Sequence, residues 1–369
     1  MSAAHPPDTT VIVATHNRPD TLRQALRSVA MQRHAAWAAL VVGDACDDRT
    51  QAVMAEFAHD RRFLYVNLQQ RCGEQAIPNS AAMQVAGTEF VALLNHDDLW
   101  LPDHLTIALE RLADGRADFF IGRAAGCRDG RLGPNGEWVA DFDRASPPDR
   151  TGQEAFGHSY EYVEPASSWV FRRDLAANIG PWRPAASLYR APIQDWFLRA
   201  WRSGARMRSD ERITCVKVGA VGAHHPTRLG KPWYSSHAHV HESILQRVQS
   251  ALPTSGGLVR DARGDLPGLA LAQPCRKLRR ALPGPRWLAS GLGRVLRWPW
   301  TGELYRRRGW DAVTLFSRCV GAPRGHLLRH ALASRTGEAL PPPPPLQAAV
   351  DEILAARQRA PWWPGWVDA

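Results

Sequence analysis

The sequence contains no run of about 18 consecutive apolar residues, so no part of it reads as a membrane-spanning helix. Its six cysteines, at positions 46, 72, 127, 215, 275 and 319, are scattered. None stands in a C-x-x-C pair, which removes the usual zinc-ligand spacing and gives no disulfide framework. That usage suits a reducing, cytoplasmic setting. Met1 to Pro7 hold no basic cluster and no apolar segment, so no secretory leader is expected. Three signatures of large enzyme classes are also missing. There is no G-x-x-x-x-G-K-[ST] loop; the first strand runs into Thr15 to Pro19 rather than G-x-G-x-x-G, and Gly291 and Gly293 lack the third glycine; no G-x-S-x-G elbow occurs. P-loop hydrolysis, dinucleotide redox chemistry and α/β-hydrolase chemistry lose their support.

What is present is unevenly distributed. Residues 246–369 hold 19 Lys and Arg against 8 Asp and Glu, while residues 1–245 hold 27 against 28. The net charge of +10 therefore belongs to the C-terminal third, where seven of the 15 tryptophans also lie beyond residue 280. Such asymmetry marks either a module with an anionic partner or a solvated basic surface.

The first half alternates strand and helix patterns. Apolar or β-branched runs at Thr9–Thr15, Leu40–Gly43, Phe63–Asn67, Glu89–Leu94 and Asp118–Gly122 read as strands. Between them, Leu22, Ala25, Leu26 and Val29 recur at helical spacing, and helices are expected over Gln51–Ala58, Gly73–Ala86 and from Pro102 to about Ala113. This alternation predicts an α/β fold, a doubly wound and mostly parallel sheet with helices on both faces. Gly126 to Glu164, rich in Gly, Pro, Asp and Arg, reads as an irregular insertion. A strand at Ser168–Phe171 and helices over Arg172–Ile179 and Asp195–Ser203 follow. Domains are expected at 1–245, with halves of about 8–125 and 126–245, and at 246–369, a basic, mainly helical extension with a polyproline spacer at Pro341–Pro345.

In doubly wound sheets ligands bind outside the carboxyl ends of the strands, and the loops after strands two and four are acidic. Asp97 and Asp98 are adjacent carboxylates that repel each other unless a cation or donors satisfy them. A hard divalent ion, Mg²⁺ or Mn²⁺, takes such oxygens together with substrate phosphates. Asp44, with Asp47 and Asp48, can accept hydrogen bonds from a base or ribose. Asp195 stands at the start of an amphipathic helix, whose dipole favours the ionised carboxylate a general base requires. Of His224 and His225, one could reach a diphosphate or its metal. Taken singly, each acidic group also reads as an ordinary helix cap.

Taken in order, these segments resemble glycosyltransferase family 2. The matching stretches are Val11 to Pro19, Val41 to Thr50, Gly73 to Gly87 with Asn79, Leu93 to Trp100 followed by Pro102, Ser168 to Leu175 with Ile179 and Gly180, and Gln194 to Leu198. The resemblance covers roughly residues 8–230. It implies a GT-A fold and inverting transfer of a sugar from a nucleotide-sugar donor, UDP favoured, to a hydroxyl of a glycan, lipid or protein. Asp44 would bind the base, with Thr15 and Arg18 nearby and Asn79 on the donor side. Asp97 and Asp98 would hold ribose and a divalent cation, Mn²⁺ or Mg²⁺, with His225 as a further metal ligand. Asp195 would be the general base. Three positions depart from the family pattern: Asn95 where an acid is frequent, His16 where Tyr is usual, and Gln194 where Glu is usual. They motivate an alternative reading as a catalytically impaired binding or scaffold protein. A sugar nucleotidyltransferase would carry a Gly-rich basic loop after the first strand, which is missing.

The Arg- and Trp-rich stretch 275–310 has the composition of a segment lying on an anionic bilayer surface. Peripheral contact with the inner face of a membrane is one expectation for it, a solvated helical subdomain the other. No nucleic-acid motif accompanies the charge.

Overall fold

The computed structural model of the chain describes residues 6–132, 138–145, 165–218, 241–246, 270–271 and 344–366, with 305, 307, 308, 314, 317, 318 and 321–325. The β-branched run Thr9–Thr15 forms β1, buried along nearly its whole length. It lies between β2 (Trp37–Asp44) and β4 (Phe90–Leu93), parallel to both, and β3 (Phe63–Leu68) extends the parallel half beyond β2. Both faces of these strands are covered, which is why they read as continuous apolar runs rather than alternating ones. Val11, Val13, Ala39 and Val41 point to one layer, with α1 (Pro19–Ala30), α2 (Asp48–Glu56) and α4 (His104–Ala113). Ile12, Leu40 and Val42 point to the other, with α3 (Ala76–Val85). Pro19 opens α1 at a position where its missing N–H costs no hydrogen bond. Leu22, Ala25, Leu26 and Val29 are the face it buries.

The other half of the sheet is mixed. β5 (Asp98–Trp100), β6 (Phe119–Leu132), β7 (Trp138–Ala145), β8 (Trp169–Arg172), β9 (Met207–Val218) and β10 (Ala270–Leu271) complete the order β10-β7-β6-β8-β4-β1-β2-β3, with β9 pairing β5 and β6. β8 runs antiparallel to β4 and β6, and β7 antiparallel to β6. The expected irregular insertion from Gly126 is corrected here: residues 126–132 continue β6, and 138–145 return beside it as β7. Strand pairing satisfies backbone groups whatever the side chains are. Glycines and alternating charges hid these strands from the hydrophobic pattern. β5 and β9 were likewise not anticipated.

Two further helices, α5 (Arg173–Ile179) with Ala176 and α6 (Pro192–Arg202) with Trp196, Phe197 and Trp201, pack into the same layer as α3. The last helix, α7 (Leu346–Arg359), follows Pro345, whose φ of −56° and ψ of 139° are those of polyproline. Its face Ala349, Val350, Ile353 and Ala356 joins that core. Glu352 accepts a hydrogen bond from the Gln69 amide at 2.9 Å, and Trp363 Nε1 donates to the Arg62 carbonyl at 2.9 Å. Thus the basic region expected as a separate unit from residue 246 contributes at least one helix to the core of the sheet. The stretch 275–304 and Pro341–Pro343 lie outside the described residues. Among the described residues no helix is long and apolar enough to cross a membrane.

Candidate active site

The carboxyl ends of β1, β2 and β4 adjoin, because β1 is in parallel register with both neighbours, Thr15 beside Gly43 and Ile12 beside Leu93. The chain leaves β1 and β2 through two non-glycine residues with positive φ, Asn17 at 46° and Ala45 at 52°. Such conformations are uncommon outside glycine and cluster at functional loops. Asn17 Oδ1 accepts the Asp47 amide at 2.8 Å, which ties the two loops together. Asn67 at the end of β3 exchanges two hydrogen bonds with the Cys46 backbone, at 2.8 and 2.9 Å. Gly43 is required by this packing: a Cβ there would stand 2.5 Å from Asn67 Oδ1 and 2.6 Å from the Tyr65 hydroxyl.

Asp44 is buried, and its two oxygens accept the backbone amides of Cys72 and of Gly73, the latter at 2.9 Å. It thereby pins the loop after β3 against the end of β2. His16 Nδ1 lies 2.7 Å from the Asp44 carbonyl. Thr15, the last residue of β1, is buried and its hydroxyl has no hydrogen-bond partner. Beside Asp44, Glu74 holds the Ala185 amide at 2.9 and 3.1 Å. Burial first, and then the Asp44 charge, push its carboxyl up to about 6.

The two adjacent acids have different environments. Asp97 keeps solvent access, with 32% of its side chain exposed, and its Oδ2 takes Arg18 Nη1 at 2.6 Å. Burial alone would raise the Asp97 carboxyl, but the basic side chains around it, His96 first, then Lys217, Arg18 and His241, hold it well below the ordinary range. His96 itself is pushed by burial down to about 4 and is neutral at pH 7. Asp98 is fully enclosed. Ser167 Oγ and Asn95 Nδ2 donate to its Oδ2 at 2.6 and 2.9 Å, and Lys217 Nζ stands 3.6 Å from Oδ1. Burial raises the Asp98 carboxyl and the Asp97 charge adds to this, while Lys217 and the hydrogen bonds from Ser167 and Asn95 lower it. Asp98 in turn raises the Lys217 ammonium.

Thr15, Arg18, Asp44 and Asp97 therefore lie at the adjoining ends of β1, β2 and β4. Asp98 does not join them as a second solvent-facing carboxylate, because it starts a strand and turns into the core. Among the described residues no three His, Cys, Asp or Glu side chains are grouped as a metal ion would require. Of the pair, Asp98 is enclosed and Asp97 is the exposed one. His225 lies outside the described residues, as do His224 and His237. Asn79 is buried on α3, enclosed with the rest of that helix. Asp195 is buried in the first turn of α6. Its Oδ2 takes Arg199 Nε at 2.9 Å and its Oδ1 lies 3.6 Å from Arg183 Nη1. Arg199 also donates to the carbonyls of Ile179 and Pro181, both at 2.6 Å. Sequence reasoning missed Ser167, Lys217 and Glu74; the histidines after His225 were noted only as weak metal-ligand candidates, and one of them, His241, places its Nε2 2.9 Å from the Asp97 carbonyl. A lone lysine between Val216 and Val218 was the one available signal.

The parallel half of the α/β sheet thus gathers a buried acid, an arginine-paired acid and two loops with positive-φ residues at its carboxyl edge. Residues 10–180 match the family model Glycosyl transferase family 2. Over 126 residues the chain is 29% identical to the putative teichuronic acid biosynthesis glycosyltransferase TuaG of Bacillus subtilis, covering 34% of this chain and 50% of that protein. Over 112 residues it is 27% identical to the Escherichia coli UDP-Glc:alpha-D-GlcNAc-diphosphoundecaprenol beta-1,3-glucosyltransferase WfgD, covering 30% and 44%. The crystal structure of S. aureus TarS 1-349 superposes with a TM-score of 0.49 at 14% identity, over 90% of this chain and 93% of that one. The chain spans half or less of the length of these curated relatives.

Proposed function

We propose that the chain transfers a sugar from a nucleotide-sugar donor to an acceptor hydroxyl. The observation that carries this reading is the convergence of Thr15, Arg18, Asp44 and Asp97 at the carboxyl ends of β1, β2 and β4, inside the segment that matches family 2. In this reading the base of the donor lies against Asp44 and Thr15, and the sugar-phosphate side lies toward Asp97 and Arg18. A UDP-sugar is the favoured donor; the name of the relative WfgD, which specifies UDP-Glc, supports that choice. The names of WfgD and TuaG both concern glycan assembly, which favours a growing polysaccharide or its lipid-linked precursor as acceptor. Peripheral membrane contact through 275–310 and a cytoplasmic location are part of the same proposal.

The reaction proposed is a single displacement with inversion. The acceptor oxygen forms its bond to the anomeric carbon on the face opposite the diphosphate. The carbon–oxygen bond to the diphosphate breaks, the electron pair leaving with the phosphate oxygen, and the acceptor proton passes to the carboxylate of Asp195. Arg199 and Arg183 fix the direction of that carboxylate. The test is turnover of UDP-, GDP- and dTDP-sugars by the wild type and Asp195→Asn, with donor binding followed by thermal shift. Loss of transfer with retained donor binding supports the reading; unchanged turnover removes Asp195 from it, and no binding of any of these donors removes the reading itself.

A further inference from the structure

β9 carries a lysine to the same edge of the sheet. Lys217 stands opposite Asp98 in the antiparallel register of β5 and β9, a cross-strand pair of opposite charge. Its side chain is 44% exposed, whereas Asp98 is fully enclosed. The ammonium thus has a buried carboxylate on one side and open space on the other. At 3.6 Å from Asp98 Oδ1 it is an ion pair rather than a hydrogen bond. Asp98 Oδ1 has no hydrogen-bond partner of its own. An ammonium offers three donors, and this contact leaves them to be used by something else.

The neighbouring residue supplies the second half of the argument. Asp97 holds Arg18 at 2.6 Å, so successive carboxylates after β4 each hold one cation, Arg18 on Asp97 and Lys217 on Asp98. Both cations lie where a doubly wound sheet binds its ligand. We propose that Lys217 is a direct contact for the donor's diphosphate, and that Asp98 is a positioning residue which holds Lys217 in place rather than a ligand for a metal ion. This rests on the nucleotide-sugar reading of the same site. A lysine ammonium is a compact point charge suited to phosphate oxygens. Held by a buried anion, it meets the leaving diphosphate without reorganising.

The alternative to exclude is that Lys217 only compensates the buried Asp98. UDP binding by the full chain, measured by calorimetry for the wild type, Lys217→Met, Lys217→Arg and the double variant Asp98→Asn/Lys217→Met, separates the two. The double variant removes both charges and keeps a side chain that Ser167 can still bond, so it guards against misfolding of the single one. Lys217→Met is expected to weaken UDP binding roughly 10- to 100-fold. Lys217→Arg recovers part of the loss, and the double variant stays as weak as the single. If the double variant binds UDP as tightly as the wild type, Lys217 serves only to neutralise Asp98 and the proposal is overturned; unchanged binding in Lys217→Met overturns it equally. A wild type that binds none of UDP, GDP or dTDP refutes the donor reading, a result distinct from either.

Discussion

The amide of Asn95 donates to Oδ2 of Asp98 at 2.9 Å, and the same oxygen takes Ser167 Oγ at 2.6 Å. The absence of an acid at position 95 thus has a structural cause, since a carboxylate there would face a buried carboxylate with no donor between them. Asn95→Asp is expected to destabilise the fold by about 2–4 kcal/mol at pH 7, the scale of an uncompensated buried charge. Chemical denaturation checks this. The cost should shrink as the pH falls and one of the two acids takes up a proton. A variant as stable as the wild type at pH 7 would mean that the Asn95 donor does not hold Asp98.

Glu74 predicts a pH dependence with a definite sign. Its carboxyl is raised to about 6 from an ordinary 4.5, chiefly by burial. Between those values the folded protein keeps a proton that the unfolded chain has lost. Stability contributed by this group therefore falls as the pH rises from 4.5 to 6 and is level above, by on the order of 1–2 kcal/mol. Glu74→Gln keeps an oxygen for the Ala185 amide and has no charge to bury. The variant is expected to be the more stable protein at pH 7, with the descent between pH 4.5 and 6 reduced. Parallel stability–pH curves for the two proteins decide the matter, and superimposable curves would refute it.

The parallel half of the sheet was readable because its strands are buried on both faces and its helices bury one regular stripe. Val11 to Val13 and Leu22 to Val29 declare themselves by hydrophobicity alone. β7 and β9 did not, since Asp141, Asp143, Arg208, Asp210 and Arg212 interrupt the apolar pattern while the backbone still pairs. At the site, Asp44 and Asp97 drew notice by their place after strands two and four, and Thr15 and Arg18 by the resemblance to family 2. The separation of Asp98 from Asp97 was not. It depends on β5 pairing with β9, a contact between residues more than a hundred positions apart. The pairing of Asp195 with Arg199 is an i,i+4 contact within α6, whereas its pairing with Arg183 depends on how the 179–183 segment folds back over that helix.

Ile353 tests whether the last helix belongs to the core. It is fully buried on α7 and shares a cluster with Ile77, Ala81 and Val85 of α3. Ile353→Ala is expected to cost about 2–5 kcal/mol, the range for deleting a buried aliphatic side chain. If α7 is part of the same cooperative unit, the loss appears as one shifted transition for the whole protein. A separate early transition, with the rest of the melt unchanged, would show that α7 unfolds by itself.

The contrast between Asp97 and Asp98 gives the last prediction. Asp97 has one accessible carboxylate that already holds Arg18, and Asp98 is closed off by Ser167, Asn95 and Lys217. Divalent cations such as Mn²⁺ need six or so oxygen ligands and are commonly held by one or two carboxylates with the rest from phosphates and water. Among the described residues the free protein offers too few, so Mn²⁺ or Mg²⁺ alone at millimolar concentration should leave its melting temperature unchanged. Any stabilisation by the cation should require UDP, whose phosphate oxygens would complete the ligand set, and it should be lost in Asp97→Asn and kept in Asp98→Asn. A rise in melting temperature with Mn²⁺ alone, abolished by Asp98→Asn, would restore Asp98 as a metal ligand.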